Sequence, residues 1–133
     1  MKYLLDTNAC IQFLRRRESP VKRKLMSVDF ASVTLCSVVK AELYFGAQRS
    51  TLPQEEIARL NGFLGYFASL PFDDAAAEVY GRVRAQLARQ GALIGPNDLL
   101  IASIALANGV TLVTHNTVEF QRVTGLLLED WQV

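Results

Sequence analysis

Cysteine and histidine are scarce in this chain, and the scarcity excludes whole classes of protein. Two cysteines, Cys10 and Cys36, cannot make a disulfide framework. With the single His115 they also fall short of a complete Cys/His zinc site. Four prolines and eight glycines are too few for a disordered or collagen-like chain. Charge of one sign is missing too: 14 Lys and Arg against 13 Asp and Glu give +1, which excludes a basic nucleic-acid coat. A local strip is still available in Arg15-Arg16-Arg17 and Lys22-Arg23-Lys24. No apolar run reaches the roughly 18 residues of a membrane span. Asp6 interrupts the first apolar run, so no secretory signal is expected, and a reducing cytoplasm is the expected compartment.

The 133 residues, half of them apolar, fit one domain over 1–133. Short apolar runs alternate with helical patterns. Residues 2–5 read as a buried strand stopped by Asp6-Thr7-Asn8, and 9–17 as a helix. Pro20 opens a further helix. Ser32 to Cys36 is rich in β-branched residues and predicts a strand, and Ser37 is placed to cap a helix reaching Arg49. Ile57, Leu60, Leu64 and Phe67 recur at helical spacing and predict one helix over 52–69. An edge strand at Leu70-Pro71-Phe72 follows, then a helix from Asp73 or Asp74 to Gln90. Pro96 opens a helix apolar nearly all round, ended by Gly109. Strands are expected at 110–114 and 126–128. Strand alternating with helix predicts an α/β fold with a mostly parallel central sheet flanked by helices. Ligands of such sheets bind beyond the carboxyl ends of the strands.

Four acids fall at that end. Asp6 closes the first strand, and Glu42 sits on the helix after the second among Val38, Ala41, Leu43 and Phe45. Asp98 lies in the first turn of the apolar helix, and Asn116 and Glu119 follow the fourth strand. Carboxylate oxygens are hard ligands suited to Mg²⁺ or Mn²⁺. Such an ion can activate water and neutralise charge on a phosphodiester. Without a cation, two carboxylates about 4 Å apart repel by roughly 4 kcal/mol at an effective dielectric of 20. Each acid taken singly also has a plainer role: Asp6 as a helix cap, Asp98 as a helix-start residue, Glu42 as a partner of Arg49, Glu119 as a solvated acid. Competing sites are absent: Asn8 stands where a haloacid-dehalogenase phosphatase needs its second Asp, and no phosphate-binding GxxxxGK[ST] loop occurs. His115 reads as a polar strand-end residue, and the cysteines as small core residues.

Four segments resemble one family: LLDTNACI (4–11), SVVKAELYFGAQRS (37–50), ALIGPNDLLIAS (92–103) and VTHNTVEFQRVTGLLLEDW (113–131). In this order they resemble a PIN-domain ribonuclease, of the VapC toxin branch of VapBC toxin–antitoxin pairs. The resemblance implies a PIN domain with Asp6, Glu42 and Asp98 as metal-binding catalytic acids and Mg²⁺ (or Mn²⁺) as cofactor. Many PIN domains carry a fourth acid at the place of Asn116. Here Glu119 offers that carboxylate, expected to reach the metal through a water with Asn116 as hydrogen-bonding support. Thr114 resembles the family's strand-end hydroxyl, and Asn8 the residue that steadies the first Asp. The resemblance further implies an endoribonuclease acting on tRNA, with the initiator anticodon stem-loop as the expected target. It also implies a homodimer and a VapB-type antitoxin across each active site. Arg15, Arg16 and Arg17 are the expected RNA contacts. The rival readings are a catalytically silent PIN-like binding module and a small-phosphate hydrolase, the latter disfavoured by Asn8.

Overall fold

Five short strands, most too apolar to face water, pair in parallel through the middle of the molecule. They are β1 (Tyr3–Leu5), β2 (Val33–Cys36), β3 (Ala68–Leu70), β4 (Thr111–Val113) and β5 (Leu128–Glu129), in the order β3-β2-β1-β4-β5. The computed structural model describes all residues from 1 to 133. Every residue of β1 and β2 is buried, as expected of central strands covered on both faces. Only Leu70 is buried in β3, at one edge. Registers are Leu4 beside Thr34 and Leu112, Leu35 beside Ser69, and Val113 beside Glu129. The chain order reverses between the neighbours β1 and β4, and that reversal positions the site.

Seven helices cover the sheet: α1 (Thr7–Arg15), α2 (Pro20–Ser27), α3 (Ser37–Gln48), α4 (Pro53–Leu64), α5 (Asp74–Arg89), α6 (Pro96–Asn108) and α7 (Thr117–Phe120). Local chemistry explains their ends. Ser19 accepts from the Lys22 amide at 3.0 Å and Asp73 from the Ala76 amide at 3.0 Å, each satisfying an orphan donor of a first turn. Gly109 ends α6 with φ 64°, a left-handed conformation that glycine adopts without a Cβ penalty. Leu99, Ile101, Ala102, Ile104 and Ala105 of α6 are all buried, the all-round burial its composition requires. One core of 33 residues joins sheet and helices.

The sequence pattern misplaces several element ends: the first helix spans Thr7–Arg15 rather than 9–17, and the last strand is Leu128–Glu129 rather than 126–128. The helix expected over 52–69 ends at Leu64. Gly65 follows, and Tyr66 and Phe67 turn away to pack with Phe30 and Phe63 at centroid distances of 5.1–5.8 Å. Aromatic clustering there outweighs continued helix. The edge strand is Ala68–Leu70 rather than 70–72, because Pro71 has no N–H for a ladder. Ser37 is the first residue of α3, not its cap; Cys36 holds that position without a side-chain hydrogen bond.

Candidate active site

Asp6 leaves β1 and enters α1 in a single step. Its backbone N–H still donates to Val113 at 3.0 Å, and its Oδ1 already accepts from the Ala9 amide at 2.8 Å. The side chain that caps α1 therefore also lines the acid cavity. It is 7% exposed, and no Lys or Arg pairs with it. Burial pushes its carboxyl above the ordinary carboxylate range. The Thr114 hydroxyl and the Ala9 amide pull it back, while the Glu42 and Asp130 charges push it further up.

Glu42 and Asp98 approach from two other helices. Glu42 does not sit on the core stripe of α3, which is Val39, Leu43 and Ala47; its neighbours Ala41 and Phe45 face solvent. The Thr7 hydroxyl donates to Glu42 Oε1 at 2.6 Å and fixes its direction. Asp98 is half-buried in the first turn of α6. Burial, and then the Glu119, Glu42 and Asp6 carboxylates, raise its pKa to about 6. Asp6, Glu42 and Asp98 share one cavity of about 260 Å³, whose wall also includes Thr7, Asn8 and Asn116. The carboxylates thus converge, as expected, beyond the ends of β1 and β4.

The loop after β4 departs from expectation. Thr114 is buried and accepts from the Asn116 amide at 3.0 Å. Asn116, not Glu119, lines the cavity. Glu119 lies behind it: Oε2 accepts from Asn116 Nδ2 at 2.6 Å and Oε1 from the Gly95 backbone N–H at 3.1 Å. These two bonds hold its carboxyl below the ordinary range. α7, which carries Glu119, has no counterpart in the sequence pattern. His115 turns out of the cavity to Asp130 at 2.9 Å.

The donor set suits a hard divalent cation: carboxylates and amides, with no sulfur, no ring nitrogen and no resident Lys or Arg. No three acids already stand together at ligand distance. Mg²⁺ takes one or two carboxylates directly and keeps waters in its remaining positions, so it does not require three.

Two surfaces adjoin the cavity. Arg15, Arg16 and Arg17 are exposed, and none pairs with an acid. Arg15 and Arg59 flank a cleft of about 60 Å³ that shares Glu42 and Ile11 with the acid cavity. Beyond it, Phe13, Met26, Phe63, Tyr66 and Phe67 form an apolar groove of about 530 Å³ that shares Leu14 and Arg59 with the cleft. Sequence reasoning missed Thr7, Arg59 and Gly95. Thr7 carried a signal, since it directly follows the strand-end acid. Arg59 and Gly95 enter only through contacts 45 and 24 residues apart in the chain. Trp131 is buried against Tyr3 and Cys10 and Cys36 are buried, all as packing.

Residues 3–126 match the PIN domain family. The chain is 40% identical to the tRNA(fMet)-specific endonuclease VapC of Shigella flexneri, over 98% of both proteins. It is 37% identical to ribonuclease VapC2 of Haemophilus influenzae, also over 98% of both. The DNA-bound VapBC structure from Salmonella typhimurium superposes with a TM-score of 0.93 at 34% identity, over 98% of each chain. A parallel five-stranded sheet, acids gathered at its carboxyl end and these full-length likenesses lead to one conclusion: the chain belongs to the PIN-domain family, among the VapC ribonucleases.

Proposed function

We propose that this VapC ribonuclease is a Mg²⁺-dependent endoribonuclease toxin that cuts tRNA and is silenced by a VapB-type antitoxin. The observation that carries the proposal is the convergence of Asp6, Glu42 and Asp98 in one cavity without a resident Lys or Arg. Buried like charges need compensation, and a divalent cation supplies it. Asp6 and Asp98 would hold Mg²⁺ (or Mn²⁺) directly, and Glu42 directly or through a water. A bound ion of this kind acidifies water and neutralises charge on a phosphodiester. Glu42, pinned by Thr7, orients the attacking water and takes its proton. Attack at phosphorus breaks the P–O3′ bond and leaves a 3′-hydroxyl and a 5′-phosphate. Asn8 lines the same wall, as does Asn116, whose Nδ2 is held by Glu119. Arg15, Arg16 and Arg17 steer the RNA backbone, which carries the salt-dependent share of binding.

The initiator tRNA is the proposed substrate, after the activity named for the Shigella relative. The apolar groove between α1, α2 and α4 is the place proposed for the antitoxin, because it runs into the acid cavity through shared residues. Homodimerisation and a cytoplasmic location complete the proposal.

The test is cleavage of purified initiator and elongator methionine tRNAs by antitoxin-free protein. Cutting is expected in Mg²⁺ and not in EDTA, with Asp98→Asn inactive and the initiator preferred. Undiminished cutting in EDTA would remove the metal from the mechanism. Binding without cleavage of any RNA would make the chain a PIN-like binding module.

A further inference from the structure

Glu119 differs from Asp6, Glu42 and Asp98 in its place: those three line the cavity and it does not. It stands outside the cavity wall, and each of its oxygens already accepts a hydrogen bond, one from α6 and one from the loop after β4. Its Gly95 contact bridges 24 residues and lands where α6 lacks a cap of its own. Gly95 is the N-cap position, it has no side chain to cap with, and Pro96 after it has no N–H. A carboxylate arriving from α7 therefore satisfies an orphan donor and meets the positive end of the helix dipole. The same end carries Asp98: a Cβ on Gly95 would lie 3.5 Å from Asp98 Oδ2. The second oxygen of Glu119 holds the Asn116 amide, and Asn116 does line the cavity.

We propose that Glu119 is a positioning residue: it fixes the start of α6, and with it Asp98, while holding Asn116 in the cavity wall. The proposal rests on Asp6, Glu42 and Asp98 being the cation-binding acids. Glu119 itself touches neither ion nor RNA. It acts as a strut between two segments that Arg122 also ties, its Nη1 donating to the Leu93 carbonyl at 3.3 Å. The departure from a fourth acid at position 116 is then a change of design. An amide faces the cavity, and the carboxylate stands behind it as support.

Two variants separate the roles, because a strut needs an acceptor whereas a cation ligand needs the charge. Glu119→Gln keeps an oxygen for the Gly95 amide, and Asn116 can reverse its amide to accept from the new NH₂. Glu119→Ala keeps neither bond. Three quantities are read on the full chain: Mn²⁺ affinity by calorimetry without RNA, kcat and KM on tRNA, and the Gly95 amide NMR signal. Glu119→Gln is expected to keep Mn²⁺ affinity within about threefold of wild type, with the Gly95 signal in place. Glu119→Ala is expected to lower kcat roughly 10–100-fold, as loss of a residue supporting a metal ligand does, with KM little changed and the Gly95 signal displaced.

Equal loss of Mn²⁺ affinity in both variants would make Glu119 a ligand and overturn the proposal. So would an Ala variant with wild-type kcat, which returns Glu119 to the solvated surface, or one altered in KM alone, which makes it an RNA contact. Should Glu119→Ala not fold, Glu119→Gln still decides by its Mn²⁺ affinity. An active Asp98→Asn would sink the underlying assignment of the acids, whereas an inactive Asp98→Asn beside any of these outcomes sinks the strut alone.

Discussion

The two loops that meet at the cavity are built in opposite ways. The loop after β1 is almost no loop: Asp6 belongs to the ladder by its backbone and to α1 by its side chain, within one residue. Its geometry is local, buried and fixed by the chain on either side. The loop after β4 is partly exposed and gets its shape from side chains, through Thr114 to Asn116, Asn116 to Glu119, and Glu119 to Gly95 of α6. One acid is placed by its own backbone, and the other side of the site is placed by contacts between distant segments. The first arrangement tolerates little substitution of the acid.

The sharpest test of this contrast is at Asp6. Asp6→Asn and Asp6→Ala should both abolish cleavage, but only Ala loses the cap of α1. The Asn variant should therefore be the more stable of the two by about 0.5–2 kcal/mol in chemical denaturation. Equal stabilities would mean the cap carries no weight and the β1 loop is not locally built. Next comes Thr7→Val, which leaves the loop intact and frees Glu42. A roughly tenfold fall in kcat is expected, with a stability loss of only about 0.5–1.5 kcal/mol. Unchanged kcat would show that Glu42 needs no orientation.

The smallest effect concerns Asp98 without metal. Its pKa of about 6 means the folded chain holds that proton more tightly than the unfolded chain does. The stabilisation from that proton is complete below the ordinary value near 3.8 and is lost as pH rises through about 6. At pH 7 in EDTA the ionised Asp98 is thus a liability, so Asp98→Asn should melt higher, by roughly 2–6 °C. Loss of the helix-dipole contribution, about 0.3–1 kcal/mol, trims this gain. The gain should vanish near pH 4, where wild-type Asp98 is protonated. A variant that melts lower at pH 7 would make Asp98 chiefly a helix-start residue.

The sequence made one half of the site readable and blurred the other. Asp6 follows an apolar run and precedes a helix, so its place at a strand end needs nothing beyond local pattern. Asp98 after Pro96 is marked the same way. Glu42 was readable as an acid at the correct end of α3, but not by its neighbours, since Ala41 and Phe45 face water. Helical spacing continues through Phe67, but the aromatic cluster of Phe30, Phe63 and Phe67 turns the backbone at Gly65, so the helix is shorter than the spacing over 52–69 predicts. The charge type and position of Glu119 are visible in the sequence, whereas its hydrogen-bond partners are not.

What the sequence determined by itself is everything set within a few residues: the buried central strands, the caps at Asp6 and Asp73, the stop at Gly109, and the acids at strand ends and helix starts. Apolar periodicity and capping are near-neighbour effects, and they are written in near-neighbour order. What only the tertiary structure decided is which side chains share a wall: Asn116 inside, Glu119 behind, Thr7 against Glu42, Arg59 beside Arg15. Those outcomes depend on the strand order β3-β2-β1-β4-β5, which sets β4 against β1 and so carries the 114–119 loop to the start of α6. A carboxylate accepts whichever donor the fold brings within about 3 Å, and for Glu119 that donor is a backbone amide 24 residues earlier in the chain.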